Sequence, residues 1–194
     1  MEAYDRMASE LAEGYDYHFA TYARLEAEYF LAKLSKGCRI LDLGCGVGSA
    51  SRYFAEQGYQ QVSADLSEEM LKECQRRGLT NLVRLDLEAL PFPDSCFEGI
   101  WAHTSLLHIP KHRVVNIIGS LGKLLKPRGV LFIALREGER EGYEGQPGME
   151  RWFAYYQTNE FDGYISKTYS TERFSRIDRQ IVSFLHYHLV KAGE

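Results

Sequence analysis

Arg39-Ile40-Leu41-Asp42-Leu43-Gly44-Cys45-Gly46-Val47-Gly48 is the stretch on which the fold reading turns. Ile40, Leu41 and Leu43 form a short apolar run, long enough for a buried strand and too short for a helix. Gly44 and Gly46 then allow a tight turn, because glycine reaches backbone conformations closed to other residues. Ala50, Tyr53 and Phe54 follow on one helical face, and Gly58 stops that helix. The stretch reads as strand, glycine turn, helix.

Outward from it the same unit recurs about every 20 residues. Further apolar runs lie at Gln61–Asp65, Asn81–Asp86, Phe97–Ala102 and Val130–Leu135. Between them Met70, Leu71 and Cys74 make a helical face that begins after Ser67, a residue suited to cap a helix N-terminus, and ends before Gly78. Val114, Ile117, Ile118, Leu121 and Leu125 make a second stripe, which stops at Lys126-Pro127-Arg128-Gly129. Strands alternating with helices give parallel pairing and right-handed crossovers, hence an α/β, doubly wound, mostly parallel sheet. Ligands of such sheets bind beyond the carboxyl ends of the strands.

Three segments are expected within one domain. Residues 1–36 read as a helical segment with Tyr22, Leu25, Tyr29 and Leu34 on one face, and residues 37–136 as the ligand-binding core. Residues 137–194 read as a lid loop followed by a C-terminal, substrate-side segment. Glu137–Glu150 holds four glycines and five glutamates in fourteen residues, which reads as a mobile loop. Trp152, Phe153, Tyr155 and Tyr156 suit either the core or an apolar acceptor pocket. The tail from Thr171 fits two patterns, a helix through Phe174, Ile177, Ile181 and Leu185 or a strand through Leu185, Tyr187 and Leu189; a final strand at Ser183–Ala192, antiparallel to its neighbours, is the favoured reading.

Composition narrows the function. With 23 Lys and Arg against 27 Asp and Glu, the chain carries a net charge of −4, contrary to a module that neutralises nucleic-acid phosphates. Val130–Leu135 is too short to span a bilayer. The opening Met1-Glu2-Ala3-Tyr4-Asp5-Arg6 has no apolar core of a signal peptide, so a cytoplasmic setting is expected. Cys38, Cys45, Cys74 and Cys96 have no C-x-x-C spacing and read as reduced thiols. His186 and His188 lack an evident third ligand, so no metal site is expected.

The ligand is argued from charge. Asp65 ends the second strand, 21 residues after Gly44, where a carboxylate accepts hydrogen bonds from ribose hydroxyls. Asp86 ends the third strand, within reach of an adenine amino group. Asp42 stands at the mouth of the turn. Beside a pyrophosphate it would repel, at about 3 kcal/mol for like charges about 5 Å apart at an effective dielectric near 20. Ser49 also stands where a dinucleotide fingerprint has its third glycine or alanine. S-adenosylmethionine offers an ammonium and a sulfonium, a ribose and an adenine, and no phosphate. An NAD(P)-dependent oxidoreductase and a catalytically silent binding module remain the alternatives.

Ile40–Gly48 resembles the first motif of the class I S-adenosylmethionine-dependent methyltransferases, and Asp65-Leu66-Ser67-Glu68-Glu69-Met70-Leu71 the second. Asp86-Leu87-Glu88-Ala89-Leu90-Pro91-Phe92, Phe97–Ala102 with Ser105–Pro110, and Leu124–Leu131 are similar to the later motifs of the small-molecule, type 11-like branch. The resemblance covers Gly37 to Gly138. It implies a Rossmann-like sheet with one antiparallel strand near the C-terminus and methyl transfer to a small-molecule acceptor by in-line displacement. It also implies residue roles. Asp42, Gly44, Cys45 and Gly46 would meet the methionine end. Asp65 would hold the ribose, with Leu66 and Met70 against the adenine. Asp86 and Leu87 would read the adenine edge. Ala102 and His103 would border the sulfonium, and Tyr15 would close over the cofactor. His103 is the candidate base. Past Gly138 the chain departs from the family pattern: Thr158–Lys167 allows only a short helix, without the usual glycine-phenylalanine turn.

Overall fold

A computed structural model describes residues 14–179 and 181–192; the opening residues read above for a signal sequence lie outside the described part. The decisive stretch forms β1 (Arg39–Leu43), with its last four residues buried. Around it β2 (Gln60–Asp65), β3 (Leu82–Arg84), β4 (Phe97–His103) and β5 (Leu125–Glu137) pair in parallel, in the order β3-β2-β1-β4-β5. The crossovers are α2 (Ser49–Glu56), α3 (Glu68–Arg76) and α4 (Lys111–Leu124); α1 (Arg24–Ala32) precedes the sheet. Ser67 caps α3 by accepting from the Met70 amide at 3.2 Å, with Glu68 and Glu69 in the first turn, where the helix dipole favours them. Val114, Ile117, Ile118, Leu121 and Leu124 of α4 are buried on one sheet face, each contributing roughly 1.5–3 kcal/mol. Phe30 of α1 and Phe54 of α2 bury against Trp101 on the other.

The C-terminal segment completes the sheet. After α5 (Thr158–Ile165), β8 (Tyr169–Ile177) and β9 (Phe184–Lys191) form an antiparallel pair, and β9 lies antiparallel along Val130–Arg136 of β5. The expected final strand is there. The helical alternative for the tail is not realised: Phe174 and Ile177 lie in β8, at the sheet edge. The Thr171–Ile177 run alternates: Arg173 turns inward to buried Glu26, while Glu172 and Arg176 are exposed, and charges on an edge strand discourage further pairing.

Two other expectations are corrected. The Glu137–Glu150 segment is not wholly a loop. It contains β6 (Glu141–Glu144), which pairs with β7 (Arg151–Tyr156) as a hairpin. β7 also pairs with Arg136 and Glu137, along the edge that β4 leaves free after Ala134, so the hairpin stands over the carboxyl end of β4. Phe153, Tyr155 and Tyr156 are core residues there. In the N-terminal segment, Tyr22 and Leu25 are exposed, while Ala23, Glu26, Ala27, Phe30 and Leu31 are buried. A π-helical turn at Phe19–Ala23 shifts the helix phase, and a charged residue, Glu26, joins the buried face.

Candidate active site

The carboxyl ends of β1, β2 and β4 gather the residues singled out above. Register sets Ser63, Asp42, Trp101, Phe132, His188 and Arg173 in one row across six strands. One row nearer the carboxyl end come His103, Ala134, His186 and Ser175. Side chains in such rows share a face.

The turn after β1 carries left-handed backbone at Gly44 (φ 77°), Gly46 (φ 53°) and Gly48 (φ 80°). Each has its own need of glycine. A Cβ on Gly44 would overlap the Ser105 side chain, and one on Gly48 would meet Leu79 Cδ1 at 2.5 Å. Before Gly46 the space is open as far as the Tyr15 ring, 3.8 Å from the ideal Cβ position. Tyr15 also packs on Val47 and Met70, so it lies over the turn.

Asp42 lies behind the turn, 3 % exposed. Its Oδ2 accepts from Ser51 Oγ at 2.6 Å, which accepts from Ser63 Oγ at 2.7 Å. Burial, reinforced by the nearby Asp65 carboxylate, pushes its pKa up to about 7 against the pull of Ser51. Asp65 accepts from the Gly46 amide and the Ser67 amide, each at 2.9 Å, and so ties the turn to the start of α3. Asp86, expected to end the third strand, lies two residues beyond β3; it is exposed and accepts from the Glu88 amide at 2.9 Å, beside half-buried Leu87. Met70 is buried and Leu66 is 39 % exposed. Cys45 and Cys74 are free thiols 3.9 Å apart at the base of the turn.

Ala102 is buried and His103 half-buried at the end of β4. Thr104 follows at φ 57°, a strained conformation for a β-branched residue, and its amide still bonds to Ala134. His103 stacks parallel to Trp101 and Phe132 and faces His18 at 5.7 Å between ring centroids and His186 at 6.2 Å. Its Nε2 is buried without a partner. Burial, with His186, His18 and Arg179 nearby, holds its basicity well below the ordinary range, so the ring is neutral at pH 7. His108 is a structural contact, its Nδ1 2.8 Å from the Trp152 carbonyl of β7.

Sequence reasoning missed the surroundings of these residues. Asp16 accepts from Ser49 Oγ at 2.6 Å and pairs with Arg77 at 3.0 Å, which sets a carboxylate at the N-terminus of α2. Glu26, from α1, is buried among Arg173 (3.2 Å), Ser175 (3.2 Å) and His188 (2.6 Å). His186 Nδ1 comes within 3.4 Å of Glu26 but makes no hydrogen bond. Burial would raise the Glu26 pKa, yet its histidine neighbours outweigh burial and hold it below the usual carboxylate range. His188 thus serves a buried ionic network, and His186 lies beside it. No spacing rule links position 26 to positions 173–188, so only tertiary structure exposes the cluster.

The donor set fits S-adenosylmethionine. Acids lie near the carboxyl ends of β1, β2 and β3, with Asp42 one residue before an end, Asp65 at one and Asp86 two residues past one, and the open space before Gly46 leaves bare backbone for a ligand. The helix N-terminus where a pyrophosphate would sit is closed by the Asp16 carboxylate. This sheet order and the glycine turn are those of the class I S-adenosylmethionine-dependent methyltransferase fold. The methyltransferase-domain family profile matches residues 41–133, and proteins of that family use S-adenosylmethionine. It is 34 % identical over 131 residues to a malonyl-[acyl-carrier protein] O-methyltransferase of Pseudescherichia vulneris, covering 66 % of this chain and 51 % of that protein. It is 32 % identical over 114 residues to a ubiquinone biosynthesis O-methyltransferase of Xanthomonas oryzae pv. oryzae, covering 55 % of this chain and 47 % of that one. The chain thus spans about half the length of these curated relatives. The fold is shared with the 1,6-didemethyltoxoflavin-N1-methyltransferase of Burkholderia thailandensis, solved with 1,6-didemethyltoxoflavin and S-adenosylhomocysteine (TM-score 0.76, 21 % identity, 97 % of this chain and 87 % of that one).

Proposed function

We propose that this chain binds S-adenosylmethionine over the Asp42–Gly48 turn and directs its methyl group to a small-molecule acceptor. The observation that carries the reading is the ring of acids round an open glycine turn, with the adjoining helix N-terminus already occupied by Asp16. S-adenosylmethionine supplies an electrophilic methyl on a sulfonium, displaced in line by the acceptor atom. The chain's residues have separate tasks. Asp42 offers negative charge behind the turn, and the Gly44–Gly46 backbone, with Cys45, bounds the methionine end. Asp65 takes the ribose hydroxyls, at the cost of its present bonds to the turn. Leu66 and Met70 flank the adenine, and Asp86 with the Leu87 amide meets its edge. Tyr15 closes the near side, which excludes water. Ala102 and His103 border the reacting centre, where the free Nε2 of a neutral imidazole accepts a hydrogen bond and orients the acceptor. Such alignment supplies roughly 7–11 kcal/mol of a bimolecular barrier.

A small-molecule acceptor agrees with the acid charge balance and with the names of the related O-methyltransferases. Nucleic acid is not the substrate in this reading, and the four free thiols accord with a cytoplasmic setting. The test is transfer of labelled methyl from S-adenosylmethionine to a panel of small acceptors with free hydroxyl, carboxyl or amine groups. Transfer to at least one, abolished by excess S-adenosylhomocysteine, is expected. Transfer to RNA or DNA but to no small acceptor contradicts the acceptor class.

A further inference from the structure

Arg179 differs from the other arginines of the substrate-side segment. Arg136, Arg173 and Arg176 each pair with a carboxylate. Among the described residues Arg179 has none: its Nη1 donates to His18 Nε2 at 2.5 Å, and its Nε and Nη2 are buried with no partner. The guanidinium is held between two rings, with Tyr22 3.9 Å and Phe184 4.3 Å from its carbon to their centroids. An unpaired buried cation is costly, and one clamped by aromatic faces does not swing out to water easily. Nε and Nη2 together form the side edge of the guanidinium, whose two parallel N–H bonds match the two oxygens of a carboxylate.

The position of this edge is informative. Phe184 pairs with Arg136 near the carboxyl end of β5, on the ligand side of the sheet. His18 bridges from Arg179 toward His103, whose ring centroid lies 5.7 Å from its own. Burial, with Arg179 and His186 adjacent, brings the His18 pKa down to about 4, and it must be neutral to accept from Arg179. His103 is neutral as well, so Arg179 is the cation of the cluster.

We infer that the acceptor is a small organic acid whose carboxylate is gripped by Nε and Nη2 of Arg179, beside His103 and against the rings of Tyr22 and Phe184. This inference rests on the methyltransferase reading and names the acceptor class of the same site. It explains why a guanidinium is kept buried there without an acid of the chain's own.

The probe is benzoate, titrated into protein saturated with S-adenosylhomocysteine and followed by chemical-shift changes, with benzamide as its uncharged counterpart. Benzoate is expected to bind one site at least about ten-fold more tightly than benzamide. Arg179→Gln should lose that preference, Arg179→Lys should keep part of it, and both should bind S-adenosylhomocysteine as the parent does. Thermal unfolding should show Arg179→Gln no less stable than the parent, since no ion pair is broken. Equal binding of benzoate and benzamide, or benzoate binding unchanged in Arg179→Gln, overturns the inference. If S-adenosylhomocysteine itself fails to bind, the methyltransferase reading falls. Benzoate on the free protein, lost in Arg179→Gln, would then still uphold the anion site, and no loss would end both.

Discussion

If the cofactor binds over Asp42 as proposed, its binding should be a proton-coupled event. The Asp42 carboxyl is buried behind the glycine turn and titrates at about 7, against 3.8 for an ordinary aspartate. In the free protein at pH 6 it is therefore ~90 % protonated, and at pH 7 about half. A cation over the turn favours the carboxylate and expels the proton. Binding should release ~0.9 proton at pH 6 and ~0.5 at pH 7, and affinity should tighten about five-fold between them. Calorimetry with S-adenosylhomocysteine, in two buffers of different ionisation heat, reads the proton count directly. Asp42→Asn should remove the buffer dependence. Stability carries the same signature with opposite sign. Because the folded pKa lies above the unfolded one, the free protein holds an extra proton between about pH 4 and 7. Its stability therefore falls as pH rises through that window, by at most about 4 kcal/mol, and Asp42→Asn flattens the fall. Binding heats that do not depend on the buffer between pH 6 and 7 would refute the coupling and the placement of positive charge above Asp42.

Glu26→Gln should destabilise the fold by on the order of 3 kcal/mol in urea unfolding, because Arg173 and His188 lose their common anion. A cost below about 1 kcal/mol would mean the network is solvated. The same carboxyl is held below its ordinary range, so its contribution is present at neutral pH and fades as pH drops under the usual glutamate value; acid titration of the parent against Glu26→Gln checks the sign. Gly44→Ala forces a positive φ on alanine and an overlap with Ser105, so a loss of at least 1–3 kcal/mol, approximately, is expected from backbone strain alone. Unchanged stability and S-adenosylhomocysteine affinity in that variant would show that the turn is looser than described. NADH should give no fluorescence enhancement at millimolar concentration, since Asp16 occupies the helix terminus that a pyrophosphate needs; saturable enhancement would reverse the choice of cofactor.

What the chain declares locally could be read from it; what depends on long-range pairing could not. The alternation of parallel strands with helices follows from apolar runs at an even pitch, whereas the order β3-β2-β1-β4-β5 appears only in the structure; Ser67 and Gly78 punctuate α3 by chemistry confined to one helical turn. The acids at 42, 65 and 86 were legible because each falls at or near the end of an apolar run, and parallel pairing of β1 with β2 brings 42 and 65 to one end of the sheet. The substrate side was less legible. Phe174 and Ile177 match helical and strand periods alike, and only pairing with β9 decides between them. Glycines in the Glu137–Glu150 segment suggested a loop, yet Glu141–Glu144 finds a partner in β7 once β4 ends and leaves an edge free. The α1 face was misjudged because Glu26 reads as solvent-facing until Arg173, Ser175 and His188 arrive from about 150 residues away in sequence.

The account stands on one contact, a ribose held by Asp65 beneath a cation over the glycine turn. Titration of the intact chain with S-adenosylhomocysteine should show a single micromolar site, and Asp65→Ala should weaken it by about 1–3 kcal/mol through loss of a charged hydrogen-bond acceptor. Neither heat nor thermal shift with the parent protein, or equal affinity in Asp65→Ala, would contradict it.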